Sequence, residues 1–456
     1  MGRPTMRSLV GGAAGLTAGL LGGIGLGAIS AAGGSSPSAP ALIDAAHVPP
    51  VLALPEERIT LRYAIVCPPR DDGRPCEGSG EVYARAGQSG ALRRFALQRG
   101  DDSKEGRYFV HLPPEIAPSR EGFSYYAVLR DDASGATLTI PAGGAAAPQR
   151  SFPLSNPTEV GLGAHSFGHV RKADARVVEA NWGSAVGELG LSGSRELGFA
   201  GPSAFDVAAD GEVTVLDGVN GRVQRWVRGR PTATPIEIDG VLADLTVERD
   251  GTMDVLEPPN RETPVPRLRS FRRDGTLKWS QLLSDRTWAK LAAGPEGPVV
   301  QQQPSEQWVP VAESGKPLSR TAQSGRGQPA RPLANGRGVV VQRVGVGELR
   351  LAEVAGNAVV RAWRISSATP LGEVQLAEPI GSQLVVVVKT YDEDRDEFRV
   401  LVLDHSGLAR QLSLAAAAWA ESAPLARFRI AGSALYQLGS TPAGAFVDRF
   451  DLEVSR

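Results

Sequence analysis

Apolar residues along this chain alternate with polar ones at a period of two far more often than they recur at helical spacing. Such alternation puts one row of side chains on each face of a pleated strand, so it predicts short strands rather than helices. The clearest instance is residues 201–226, GPSAFDVAADGEVTVLDGVNGRVQRW. The pattern predicts strands over 205–208, 213–216 and 222–226, with turns at Asp210-Gly211 and Asn220-Gly221. Asp-Gly and Asn-Gly suit tight turns because these residues accept a positive φ. A three-stranded meander this short cannot bury its own faces, so it must be one unit of several.

The rhythm does recur. Apolar stretches over 205–211, 242–251, 291–297, 333–338, 376–381 and 428–432 end on Gly211, Gly251, Gly297, Gly338, Gly381 and Gly432, and each is followed by a second apolar run. The glycines are 40, 46, 41, 43 and 51 residues apart. A period in the forties with several strands per unit predicts β-propeller blades, here six over 176–456. The strand RVVEA at 176–180 precedes the first unit and has no partner inside it. We expect it to supply the outermost strand of the sixth blade, because an unpaired edge would otherwise remain.

Upstream, strand patterns over 58–66, 81–85, 92–97, 107–112, 122–130 and 137–140 predict a β-sandwich spanning 58–155. The adjacent Tyr125 and Tyr126 must then point to opposite faces. Residues 33–57 read as a linker and 156–175 as a connector. The fold class is therefore all-β, with two domains in a chain of 456 residues.

The N-terminus adds a location. Arg3 and Arg7 precede a run over 9–29 with no charged residue, followed by small residues with cleavage-like patterns at Ala28-Ile29-Ser30 and Ala39-Pro40-Ala41. Residues 1–32 thus read as a secretory signal. The alternative is a retained, self-associating anchor, since Gly11, Gly15, Gly19, Gly23 and Gly27 fall on one helical face. Both imply export, and attachment to a membrane would run through this segment. Cys67 and Cys76 bracket PPRDDGRP, and an oxidising compartment would let them form a disulfide. A net charge of −1 argues against nucleic acid as a partner.

Two resemblances follow from these residues. The run Val215-Leu216-Asp217, Asn220, Arg222-Val223-Gln224 resembles the NHL repeat, and the approach through Trp182-Gly183-Ser184 and Gly201-Pro202-Ser203 is similar to that family's. The resemblance implies a structural role for Asp217, Asn220 and Arg222: the aspartate caps the turn and the arginine pairs with it. The stretch GFSYYAVLRDDASGATLTIPA resembles late strands of immunoglobulin-like and fibronectin type III modules of exported bacterial proteins.

Candidate chemistry is sparse. His165 and His169 lie four apart but lack a visible third ligand, so a zinc site is not expected. Asp392, Asp394 and Asp396 begin like a calcium loop, but Glu397 stands in place of the turn glycine and Leu403 in place of the bidentate acid. A charged hairpin tip explains them better. Arg320, Arg326, Arg331 and Arg337 in a Gly/Pro-rich loop could bind an anion if they shared one mouth of the ring. Asp206, Glu248, Asn335, Glu378 and His405 are the side chains whose convergence in a central channel would signal catalysis. No cofactor motif is present. The sequence points to an exported, monomeric, non-enzymatic binding or scaffold protein for an envelope protein or glycan; the alternative is a propeller-type lyase, lactonase or hydrolase acting at the channel.

Overall fold

The computed structural model describes residues 44–66, 78–100, 107–117, 119–194, 196, 198–260, 263–283, 288–302, 306–323, 326–333, 335–420 and 425–452. The N-terminal segment and the Cys67–Cys76 pair lie outside the described residues. The protein is all-β, and the helical elements of the described residues are one short α-helix, Arg320–Gln323, and two 3-10 turns.

Residues 44–153 form two sheets around one core. One sheet orders Asp44–Ala46, Thr60–Val66, Arg107–His111 and Gln98–Arg99. The other orders Leu52–Ala53, Gln149–Pro153, Phe123–Asp131, Gly78–Ala86 and Arg93–Ala96, with Thr137–Ile140 also on Phe123–Asp131. Alternation decides what enters the core: in TLRYAIV, Leu61, Tyr63 and Ile65 are buried and meet Val82, Phe123, Tyr125 and Leu129. Tyr125 is fully buried there, while Tyr126 stacks on Tyr83 at 4.8 Å. Two short strands, Asp44–Ala46 and Leu52–Ala53, come from the stretch that reads as linker.

Among the described residues, the rest of the chain builds six successive sheets of three or more strands, besides two two-stranded hairpins, Ser192–Ser194 with Gly198–Ala200 and Ala312–Glu313 with Lys316–Pro317. The first is Ala204–Val207, Val213–Asp217, Arg222–Val227 and Arg230–Pro235. The second runs from Asp244–Val247 to Leu277–Leu282, and the third has three strands, from Trp288–Ala293 to Gln307–Pro310. The fourth runs from Arg331–Pro332 to Ala358–Ser366, and the fifth from Leu371–Ile380 to Gly407–Ala415. Phe428–Ala431, Ala434–Thr441 and Gly444–Asp451 form the sixth, and Ala175–Asn181 pairs antiparallel with its last strand. The chain segment before the first sheet thereby completes the last one.

Period two explains the stacking of these sheets. Within the fifth sheet's QLVVVVKTY, Leu384, Val386 and Val388 pack on the fourth sheet's Leu349, Leu351 and Trp363. The intervening Val385 and Val387 pack on the sixth sheet's Phe428, Leu435 and Phe450. A strand buried on both faces must be apolar at every position, hence the unbroken valines. Comparable cores join the first sheet to the second, the second to the third, and the sixth back to the first through Val178, Leu438, Val447, Phe205 and Val215.

The connector is more than a tether. Its Thr158–Gly161 adds parallel to Trp363–Ser366 of the fourth sheet. The chain then crosses the fifth sheet, where Arg399 Nη2 donates to the Leu162 carbonyl and the Arg171 amide donates to the Ser413 carbonyl. It ends as the closing strand of the sixth. The sandwich also docks: Val51, Leu52, Phe152 and Leu154 pack on Ala330, Val340, Ala352 and Val354 of the fourth-sheet region.

Candidate functional site

The first strands of the six sheets bring charged side chains into contact between sheets. Asp206 of the first sheet accepts the Val247 amide of the second at 2.7 Å, and Asp244 of the second accepts the Leu291 amide of the third at 2.8 Å. Arg429 of the sixth sheet reaches both carboxylates, at 3.6 Å to Asp206 and 3.8 Å to Asp244, and donates to the Leu245 carbonyl at 2.7 Å. On the other side, Lys290 of the third sheet pairs with Glu373 of the fifth at 2.8 Å, and Arg331 of the fourth pairs with Glu378 of the fifth at 2.7 Å. These contacts run between sheets, so the charges tie the sheets together. Burial pushes the Asp244 carboxyl up, opposed by Arg429 and the two amides that it accepts.

A cavity of about 510 Å³ opens beside these pairs. Its lining includes Trp308, Gln301, Glu306, Arg343 and Gln375 besides the paired charges. Arg343 forms no ion pair among the described residues and only grazes the Leu371 carbonyl at 3.4 Å. Glu306 has a backbone φ of 53°, in the left-handed region that a non-glycine residue seldom occupies. Burial pushes its carboxyl up, opposed by the charges of Lys290 and Arg343. One cation and one carboxyl thus remain outside the inter-sheet ion pairs, beside an indole ring.

The residues singled out in the sequence fall in different places. Asp206 and Glu378 belong to the inter-sheet pairs. Glu248 lies beside Asp254 of its own sheet, and together with burial it pushes the Asp254 carboxyl up. Asn335 accepts the Arg337 amide in a turn, and His405 is exposed in the turn between Asp396–Asp404 and Gly407–Ala415. No group of three or more metal-ligating side chains occurs among the described residues. Of the loop arginines, Arg326 pairs with Glu313 at 2.8 Å, Arg331 with Glu378 and Arg337 with Glu353 at 3.6 Å. Arg320 opens the short helix. Asp392 accepts the amides of Asp394 and Arg395 and the Arg395 guanidinium, which makes this acidic run a hairpin tip.

Asp217, Asn220 and Arg222 do meet. Asp217 Oδ2 accepts Asn220 Nδ2 at 2.9 Å and Arg222 Nε at 2.8 Å, while its Oδ1 accepts the Gly190 amide at 2.9 Å. Arg222 also donates to the carbonyls of Ser184, Ala185 and Glu188, which fixes the approach segment against the first sheet. Trp308, Glu306 and Arg343 escaped the sequence reading. For Glu306 and Trp308 the signal is the polar run QQQPSEQW, where a buried strand would be expected to stay apolar, and Arg343 has no such signal.

No family model and no curated protein matches this chain. Among solved structures it is similar to a Bacteroides thetaiotaomicron protein of unknown function, at 7% identity over 91% of this chain and 98% of the other, with a TM-score of 0.34. It is similar to a Bacteroides caccae protein of unknown function at 14% identity, over 49% of this chain and 92% of the other, TM-score 0.33. Virginiamycin B lyase from Staphylococcus aureus is similar at 12% identity, over 56% of this chain and 86% of the other, TM-score 0.27. These neighbours are β-propeller-like proteins.

Proposed function

We propose that this protein is an exported, non-enzymatic binding protein of the cell envelope that takes a polar oligosaccharide into the axial cavity of a six-bladed, NHL-type β-propeller. In this reading, 58–155 is an immunoglobulin- or fibronectin type III-like spacer, and attachment, where present, runs through residues 1–32. The observation that carries the proposal is the composition of the cavity: an indole beside Arg343, Glu306 and two glutamines. A sugar presents an apolar face that stacks on an aromatic ring and a rim of hydroxyls that both donate and accept hydrogen bonds. Few polar groups within a concave site then fix its orientation.

Calorimetric titration with cellotetraose, chitotetraose and trigalacturonate tests this reading. At least one should bind the wild type, and Trp308→Ala should weaken it tenfold or more. No binding at millimolar ligand, or equal binding by the variant, would overturn it. A second reading, cleavage of the same ligand class at this cavity, is favoured by Glu306 alone. A half-buried carboxyl whose proton is held to higher pH, on a strained backbone, suits a general acid. Chromatography of the incubated oligosaccharides separates the two readings, because cleavage gives products that Glu306→Gln would abolish.

A further inference from the structure

A second cavity, of about 680 Å³, lies between the sandwich and the fourth sheet. One wall is the strand Ala358–Ser366. On its inner side this strand pairs with Glu348–Ala355 at every residue but Val360. On its outer side only Trp363–Ser366 are paired, with Thr158–Gly161 running parallel. Among the described residues, the outer edge of 358–362 has no backbone partner. Among the described residues, the chain upstream of Thr158 makes no backbone pairing with this edge; Pro153, Ser155 and Asn156 line the cleft instead, and Asn156 has a φ of 53°. The opposite wall is sandwich, with Gln88 and Ser89 from one loop and Arg120 from another.

Open strand edges are ordinarily blunted by proline, by an outward charge, by a bulge or by cover. This edge has no proline and no lysine in AVVRA. Its one cation is turned to another use, since Arg361 grips Glu353 with Nε at 3.1 Å and Nη2 at 2.6 Å. Of these devices it carries a bulge, at Val360, where the register shifts between Arg361↔Glu353 and Val359↔Val354 while pairing continues on both sides. Val360 therefore has no partner on the inner side and remains 46% exposed. The edge opens into a cleft rather than onto a convex surface, so a second strand would be enclosed there. Five residues of edge extend for about 17 Å, the length of an ordinary strand.

We propose that this cleft binds an extended peptide segment of a partner protein by strand addition, parallel to 358–362 and in line with Thr158–Gly161. The edge would supply main-chain hydrogen bonds, and the sandwich loops would supply the side-chain selection. The pairing of Thr158–Gly161 is the argument for this occupant: the fold already uses the C-terminal half of the same edge in this way, and the vacant half continues the same track.

Heptapeptides selected from a random phage-displayed library on the full-length protein, then synthesised with a fluorescent label, are the probes. Hydrogen exchange locates them and anisotropy measures affinity. A bound peptide should slow exchange of the amides at 358–362 at least tenfold, and N-methylation at alternate peptide positions should weaken it at least tenfold. Val360→Pro should abolish binding, since a proline at the centre of the edge cannot donate to an added strand. The N-methylated peptides keep the test decisive if that variant misfolds. Peptides that protect only other regions, or that tolerate N-methylation, would overturn the proposal. So would sedimentation showing a dimer that already protects these amides, because the occupant would then be a second copy. Trp308→Ala should leave peptide binding unchanged, which keeps this site separable from the axial one.

Discussion

His165 Nε2 lies 2.8 Å from Glu397 Oε2, with the two side chains 4% and 8% exposed. The other carboxylate oxygen accepts the Gly168 amide at 2.6 Å, and the His165 amide donates to Thr369 Oγ1 at 2.8 Å. The Phe167 ring stands edge-on to the imidazole, and Arg395 covers Phe167. Glu397 lies on the fifth sheet's strand Asp396–Asp404, so this contact clasps the connector to the sheet that it crosses.

His165→Ala should therefore destabilise the protein by about 2 kcal/mol, the cost of removing a buried hydrogen bond to a charged group. Proteolysis should then begin within 162–172. Urea unfolding and mass spectrometry of the first fragments check both expectations. An unchanged midpoint would mean that the connector holds by its backbone contacts alone.

The strands were legible in the sequence because alternation survives in each unit, as in the meander over 201–226. The closing strand was legible for a different reason: RVVEA has no partner in the first unit, and an edge would stay unpaired unless it completed the sixth. The clasp was not legible. GLGAHSFGHVRKAD has no period, and its contacts come from the isolated side chains of His165, Phe167, Arg171 and Asp174 and from several backbone groups. His165 and Glu397 are 232 residues apart, and each looked like a weak metal-site remnant in isolation. The axial cavity was half legible: Asp206 and Glu378 follow from inner-strand position, whereas Trp308 and Glu306 depend on how the third sheet packs.

Asp217 is 1% exposed and receives four donors, the Gly190 amide, Asn220, Arg222 and, at 3.4 Å, Gln224. Asp217→Ala leaves Asn220 and the Gly190 amide short of an acceptor and the buried end of Arg222 without its counter-charge. Loss of one partner from a buried pair costs about 3–5 kcal/mol. Gly190→Ala should fail for a related reason, because a Cβ there would lie 2.5 Å from Val219 and 2.8 Å from Asp217 Oδ1. Both variants should lower the denaturant midpoint with the m-value unchanged. A loss below about 1 kcal/mol for Asp217→Ala, within the range of an ordinary hydrogen bond, would show that water replaces the carboxylate.

Arg350 joins the two halves of the molecule. It is buried, pairs with Glu57 at 2.5 Å and with Glu348 at 2.7 Å, and donates to the Leu52 carbonyl at 2.9 Å. Leu52 in turn donates its amide to Gln342 at 2.7 Å. Arg350→Ala should uncouple the sandwich from the sheets, so one calorimetric transition becomes two. The sandwich should melt first, since its docking face contains Val51, Leu52, Phe152 and Leu154. A single transition shifted as a whole would show that the apolar contacts suffice for coupling.

His47 gives the sandwich a predictable response to acid. The Arg62 carbonyl can only accept, so His47 Nδ1 donates to it at 2.7 Å, and Nε2 then accepts the Tyr125 hydroxyl at 2.8 Å. Tyr63 stacks on the ring at 4.2 Å. Burial lowers the imidazole to about 4 from an ordinary 6.5, with the bond to Arg62 opposing the fall. The folded state thus binds the proton less readily than the unfolded chain does. Stability from this group is complete above pH 6.5, declines as pH falls, and is lost by pH 4, a total of about 3 kcal/mol. Urea midpoints of the wild type and His47→Gln across pH 4–8 isolate the effect from that of the carboxylates. The difference between the two proteins should narrow or reverse towards pH 4 by about that amount. A difference constant across the range would mean that the imidazole takes up its proton without leaving the core.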